Sequence, residues 1–115
     1  MKEILAAYTA ALNRYDFTAV ENLFAENAIY MSSGFRGELH GRVAIMAAFR
    51  AYFAGHTNQV NEDKHVRVIG AKLIQSDWSL TATNSVTGEY VRRKGTQVVT
   101  FNNEGRIALI QVLEF

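Results

Sequence analysis

Between residues 2 and 14 the apolar side chains Ile4, Leu5, Tyr8, Ala11 and Leu12 share one stripe at helical spacing, while Lys2, Glu3, Asn13 and Arg14 can face water. A first helix is predicted. Asp16 is placed to cap a second, shorter helix with Phe17, Val20, Leu23 and Phe24 on its apolar side, and Thr18-Ala19-Val20-Glu21 offers a competing capping-box start. The two helices then form a hairpin. Ser32 to Gly41 contains Gly34, Gly37 and Gly41 and reads as a loop, after which a third helix runs from about Arg42 to Ala54 and stops at Gly55. Its obvious solvent markers are Arg42 and Arg50, so it should be covered on most sides.

From His65 onward the periodicity changes to two, with segments near 64–74, 77–85, 89–102 and 106–115 separated by Ser-Asp, Thr-Gly and Asn-Asn-Glu-Gly turns. An antiparallel meander follows. Helices first and long hairpin strands afterwards predict an α+β fold: three N-terminal helices packed in the concave face of a strongly curved, mainly antiparallel sheet. Such a cone, closed on one side, can enclose a pocket.

Composition narrows the classes without choosing among them. The chain has 115 residues, 12 Lys+Arg against 11 Asp+Glu, a formal charge of +1, no Pro and no Cys. One domain spanning 1–115 is expected. Near-neutral charge gives no field for nucleic acid or an anionic membrane, and no apolar stretch approaches the roughly twenty residues of a membrane span. Ile4, Tyr8 and Leu12 at helical spacing, with Glu3 before them, mark the start of the chain as a retained helix rather than a leader. Without cysteine there is no disulfide framework, thiol nucleophile or Cys-type zinc site, and cytoplasm is the default compartment.

Candidate chemistry is sparse. His40, His56 and His65 lack the spacing that puts two ligands on one helical face, so no metal is expected; His56 alone follows a helix that must line any cavity. Asp16, Asp63 and Asp77 lie where capping or turn roles suffice, and the three loop glycines match no phosphate-cradle pattern. Arg92, Arg93 and Lys94 alternate faces of a strand and read as a solvated face or subunit contact. Trp78, Leu80 and Ala82 share a strand face, with Trp78 in the core or a pocket wall.

Several strings carry a resemblance: Tyr8-Thr9-Ala10-Ala11-Leu12-Asn13, Asp16 to Phe24 followed by Ala25-Glu26-Asn27-Ala28, then Gly41 and Phe49, and Phe101-Asn102-Asn103-Glu104-Gly105-Arg106-Ile107. With the order of elements, they resemble the nuclear transport factor 2-like superfamily, particularly its SnoaL-like and steroid-isomerase-like members, over essentially the whole chain. The resemblance to steroid isomerases implies an oxyanion-binding tyrosine at Tyr8. It also places Ser32 where those enzymes carry the proton-shuttling aspartate and Gln97 where they carry the second oxyanion acid. Neither carboxylate is present, so steroid isomerisation is not expected.

The leading expectation is a domain that binds a small hydrophobic molecule in an apolar cavity, without a cofactor. It rests on the excess of large apolar side chains at Tyr8, Phe24, Tyr30, Met46, Phe49, Phe53 and Trp78, to which Leu12, Ser32, Gln97, Val99, Ile110 and Val112 add the remaining pocket positions. The alternative is a cofactor-independent, SnoaL-like cyclase, isomerase or dehydratase acting on a hydrophobic ring compound, with Tyr8 and Glu114 as its acid–base pair. Glu114 is expected at the cavity rim with a raised pKa. A scaffold role is a third possibility. Val98, Thr100, Leu109, Gln111 and Leu113 give the outer sheet face a half-apolar character suited to a homodimer.

Overall fold

A computed structural model of the chain describes residues 1–34 and 37–115, so the part of the expected loop at Phe35 and Arg36 lies outside the described residues. The elements are α1 (Lys2–Asn13), α2 (Phe17–Leu23), β1 (Phe24–Ser32), β2 (Glu38–His40), α3 (Arg42–Ala54), β3 (His56–Gly70), β4 (Leu73–Asn84), β5 (Tyr90–Phe101) and β6 (Ile107–Glu114). They form an α+β fold in which three helices pack against one six-stranded curved sheet of order β2-β1-β6-β5-β4-β3. Every pairing is antiparallel except β1 with β6.

Local chemistry accounts for the helices. Asp16, not Thr18, caps α2: its Oδ1 accepts from the Ala19 N–H at 3.1 Å. Leu5, Val20, Phe24, Ile45, Ile74, Val99, Ile107 and Ile110 are fully buried between helices and sheet and form the core. Helix α3 departs from expectation on its outer side, where Val43 is 82% exposed and Ala47, Arg50, Ala51 and Ala54 also face water. Ala is small enough to leave little apolar surface there, so the helix is covered on one side only.

The strands require three corrections. Phe24 begins β1 rather than ending a helix, and β2 lies inside the segment read as a loop. A register shift between Phe24 and Ile29, around Glu26-Asn27, hides the period-two signal of β1. Strand β3 begins at His56 and turns into β4 at Ala71-Lys72, leaving Ser76 and Asp77 inside β4 rather than in a turn. Its alternation is broken by register shifts at Thr57/Val60, Lys64/Arg67 and Val68/Gly70, with Asn58 (φ 52°) and His65 (φ 52°) in the left-handed region.

Strand β3 is a sheet edge, and the end of α1 satisfies part of it. The Asn13 amide donates to the Asn61 carbonyl at 2.9 Å and accepts from the Asn61 N–H at 2.7 Å, as a neighbouring strand would. Two residues on, the Tyr15 hydroxyl donates to the His56 carbonyl at 3.0 Å and accepts from the Gln59 N–H at 3.2 Å. Helix and strand edge are thereby locked at the first bulge.

Candidate functional site

Strand register decides what faces the helices. Leu80 pairs with Asn61 and Arg93, and Trp78 with Asp63 and Gly95, while Gly95 in turn pairs with Glu114. One pleat further, Gln97 pairs with Ser76 and Val112. Gly95 is required at the centre of these rows, because a Cβ there would collide with the Leu113 carbonyl.

These rows and the helices enclose a cavity of about 280 Å³. Its walls are Tyr8 and Leu12 from α1, Tyr30 and Ser32 from β1, Leu39 from β2, and Ala48, Phe49, Tyr52 and Phe53 from α3. The sheet contributes Gln59, Asn61, Trp78, Leu80, Arg93, Gln97 and Val112. Tyr8, Leu12, Tyr30, Ser32, Phe49, Phe53, Trp78, Gln97 and Val112 therefore lie together, and the three positions aligned with the steroid isomerases, Tyr8, Ser32 and Gln97, share one cavity.

Phe24, Met46, Val99 and Ile110, expected on the wall, do not line it; they are 0%, 2%, 0% and 0% exposed in the core. Phe24 forms the layer behind, edge-on to Tyr8 at 5.8 Å and to Phe49 at 6.2 Å. Cone-shaped packing puts two apolar layers inside one sheet, and hydrophobicity alone does not separate them.

Polar side chains occupy defined parts of the wall. The Tyr8 hydroxyl has no hydrogen-bond partner among the described residues, and burial, followed by Tyr30 and Asp63, holds its pKa well above the ordinary phenol value. Tyr30 is pushed up to about 12, chiefly by burial. The Gln97 Nε2 donates to Asp63 Oδ1 at 2.9 Å and to Ser76 Oγ at 3.2 Å, and Ser76 Oγ donates to the same Asp63 oxygen at 2.9 Å. Thr9 donates to the other Asp63 oxygen. Gln97 therefore presents its carbonyl, not its N–H group, as the end left to receive a partner. The Trp78 indole N–H is satisfied by the Thr96 carbonyl at 3.1 Å.

Glu114 does not have the expected raised pKa. Arg93 grips it through Nε at 3.1 and 3.0 Å and through Nη2 at 2.6 Å, which holds the carboxyl below its ordinary value. The carboxylate that acts on Tyr8 is Asp63, whereas Glu114 acts on Tyr30. Tyr8 and Glu114 thus do not form the anticipated acid–base pair.

Gln59, Asn61, Asp63 and Arg93 were not anticipated at the site. Gln59, Asn61 and Asp63 recur at spacing two, and Arg93 has the same parity as Gln97 and Val99; those were the available signals. Arg93 also lies with its guanidinium 5.7 Å from the Tyr52 ring centroid. His56 stacks on Tyr52 at 4.0 Å and its Nδ1–H donates to the Tyr52 carbonyl at 2.8 Å, while His40 and His65 pair with Glu38 and Asp77 at the surface. Among the described residues no group of three or more His, Cys, Asp or Glu could hold a metal ion, and no helix is long and apolar enough to cross a membrane.

The SnoaL-like domain family matches residues 5–110. The chain belongs to this family. Among solved structures, this SnoaL-like domain is similar to the epoxide hydrolase/cyclase-like enzyme SalBIII, described for pyran ring formation in the polyether salinomycin, at 24% identity and TM-score 0.88, with 99% of this chain and 89% of that one covered. An NTF2-like protein of unknown function from Exiguobacterium sp. 255-15 matches at 16% identity and TM-score 0.85, covering 97% and 98%. RV0760c from Mycobacterium tuberculosis, in complex with estradiol-17beta-hemisuccinate, matches at 14% identity and TM-score 0.84, covering 95% and 88%. At these identities the likeness is one of fold. No curated protein matches this chain.

Proposed function

We propose that this SnoaL-like domain binds a small hydrophobic ring compound in the cavity between α1, α3 and the sheet. The observation that carries this reading is the unfilled volume of about 280 Å³ walled by Tyr30, Phe49, Tyr52, Phe53 and Trp78 and edged by a few polar groups. That size lies near the lower end of about 300–1,000 Å³ for ligand pockets and suits two or three fused rings. That a relative of the same fold forms a complex with estradiol-17beta-hemisuccinate, a compound of fused rings, supports this reading. Calorimetric titration with 2-naphthol is the test: saturable one-to-one binding that raises Tm, abolished by Ala48→Phe, is expected. Ala48 lines the cavity and is not part of the fully buried core, so the larger side chain enters the free volume. Absence of saturable binding to the unmodified protein overturns the reading.

Cofactor-independent acid–base chemistry as a cyclase, isomerase or dehydratase is a second reading, favoured by one observation. The Tyr8 hydroxyl is kept protonated by burial and has no hydrogen-bond partner among the described residues, as suits a donor to a developing oxyanion. Glu114 serves this reading poorly, since its pairing with Arg93 makes it a weaker base. Tyr8→Phe should remove any turnover while leaving stability nearly unchanged.

A homodimer through the outer sheet face and a cytoplasmic location complete the proposal. Val98, Thr100, Leu109, Gln111 and Leu113 lie together on that face by strand register, with Leu113 54% exposed, and the absence of cysteine suits a reducing compartment.

A further inference from the structure

The most demanding polar group in the cavity is Gln59. It is 4% exposed, and both Nε2 and Oε1 are buried without a hydrogen-bond partner among the described residues. A buried primary amide that offers two donors and a carbonyl and satisfies none of them is unfavourable unless a partner meets it. The backbone around it holds it there. The first bulge of β3 places one extra residue between Thr57 and Val60, Asn58 takes the left-handed conformation, and the Gln59 N–H is fixed to the Tyr15 hydroxyl. Its neighbour two residues on, Asn61, is fixed through both backbone groups to Asn13. Turning the Gln59 side chain outward would require the bulge to be undone.

We infer that Gln59 reads the polar end of the ligand, and that this ligand is a neutral ring compound with a hydrogen-bond donor and an acceptor side by side, as in a carboxamide or lactam. The inference rests on the binding reading above and adds the ligand's chemical class. A carboxamide meets the Gln59 amide with one N–H···O bond in each direction, satisfying a donor and the acceptor in one contact. Arg93 and Gln97 argue for neutrality. Among the described residues Arg93 is the cation that lines the cavity, and Glu114 already neutralises it through three short contacts, leaving none of these residues with an uncompensated positive charge for a carboxylate. Gln97, with its amide N–H groups held by Asp63 and Ser76, offers an acceptor only and would repel an anion as well.

The test compares 2-naphthamide with 2-acetonaphthone, a methyl ketone of nearly the same shape that lacks the donor. Affinities are measured by calorimetry for the unmodified protein, Gln59→Leu and Gln59→Met. Both variants remove the amide and keep an apolar side chain of similar reach, so Tm should hold or rise, the opposite of what a structural glutamine would give. The expected result is a loss of about tenfold or more in 2-naphthamide affinity, with a smaller loss for 2-acetonaphthone, which keeps only one of the two bonds. In the unmodified protein the Gln59 side-chain amide resonances should move on adding 2-naphthamide, a readout that needs no variant. If 2-acetonaphthone and 2-naphthamide bind all three proteins alike, or the Gln59 resonances stay still at saturation, this inference is overturned and the cavity reading stands. If neither compound binds the unmodified protein, both fall.

Discussion

The Tyr15 hydroxyl accepts a hydrogen bond from the Gln59 N–H at 3.2 Å while donating to the carbonyl of His56 at 3.0 Å, so one side chain spans the bulge that turns β3 toward the cavity. Tyr15 itself has φ 59°, an unfavourable conformation for an aromatic residue, and the two bonds help to hold it there.

Tyr15→Phe should therefore cost about 1–3 kcal/mol in urea unfolding, the range for leaving buried polar groups unpaired. The ring contacts with Phe17 at 6.3 Å and Phe53 at 5.3 Å remain in the variant, so the loss reports the hydroxyl. A change within measurement error would mean that water replaces the hydroxyl at the bulge.

Gly95→Ala should be among the most damaging single substitutions in the sheet. The added methyl meets the Leu113 carbonyl, a backbone atom that cannot rotate away, between the paired positions Trp78 and Glu114. A loss of about 3 kcal/mol or more is expected from chemical denaturation, with the fluorescence of Trp78 shifting to the red as the wall opens.

Acid stability should depend on Glu114. Arg93 lowers its folded pKa, so Glu114 stabilises the fold above the unfolded value of about 4.3 and that contribution disappears as pH falls through the lower folded value. Glu114→Gln should cost about 1–2 kcal/mol at neutral pH and leave a shallower acid limb, measured by urea midpoints between pH 7 and pH 2. An unchanged acid limb would place the Arg93 contact outside the stability of the fold.

Steroid enone isomerisation should be undetectable, for two structural reasons. Ser32 supplies no base, and the Gln97 N–H groups are committed to Asp63 and Ser76, so Gln97 offers no donor in place of the second acid. Ser32→Asp alone should restore little, because the donor would still be missing. An ultraviolet assay of a non-conjugated steroid enone with both proteins checks this, and turnover of about one per second or faster in the unmodified protein would show that the alignment of Ser32 and Gln97 with those enzymes is wrong.

Sedimentation at micromolar concentration should give twice the chain mass. Leu113→Lys, on the outer face at a position 54% exposed, should return it to a monomer without loss of helicity. A monomer in the unmodified protein removes the homodimer from the proposal.

Much of the scaffold was legible because its signals are local. The stripe of Ile4, Leu5, Tyr8, Ala11 and Leu12, the Asp16 cap and the stop at Gly55 each concern contacts within a few residues, and the three helices lie where the pattern puts them apart from Phe24, which belongs to β1. The alternation of β5 and β6 likewise placed Gln97 and Val112 inward and Val98 and Leu113 outward. The first part of β3 was missed because its inward residues are polar: Gln59 and Asn61 carry no hydrophobic alternation to read.

By itself the sequence determined the helices, the fold class and the parity of the later strands, since helix and strand periods are properties of the backbone that short stretches obey independently. Which inward residues become core and which become cavity wall was decided only in three dimensions. Phe24 and Phe49 are alike in chemistry, yet one is fully buried and the other lines the cavity, because the curvature of the sheet and the bulges of β3 set where space is left over. Charge follows the same division. That Arg93 faces inward is implicit in its parity and the hairpin of β5 with β6 in its turn, but its neutralisation by Glu114, 21 residues away, depends on the register of that pairing, which alternation alone does not set.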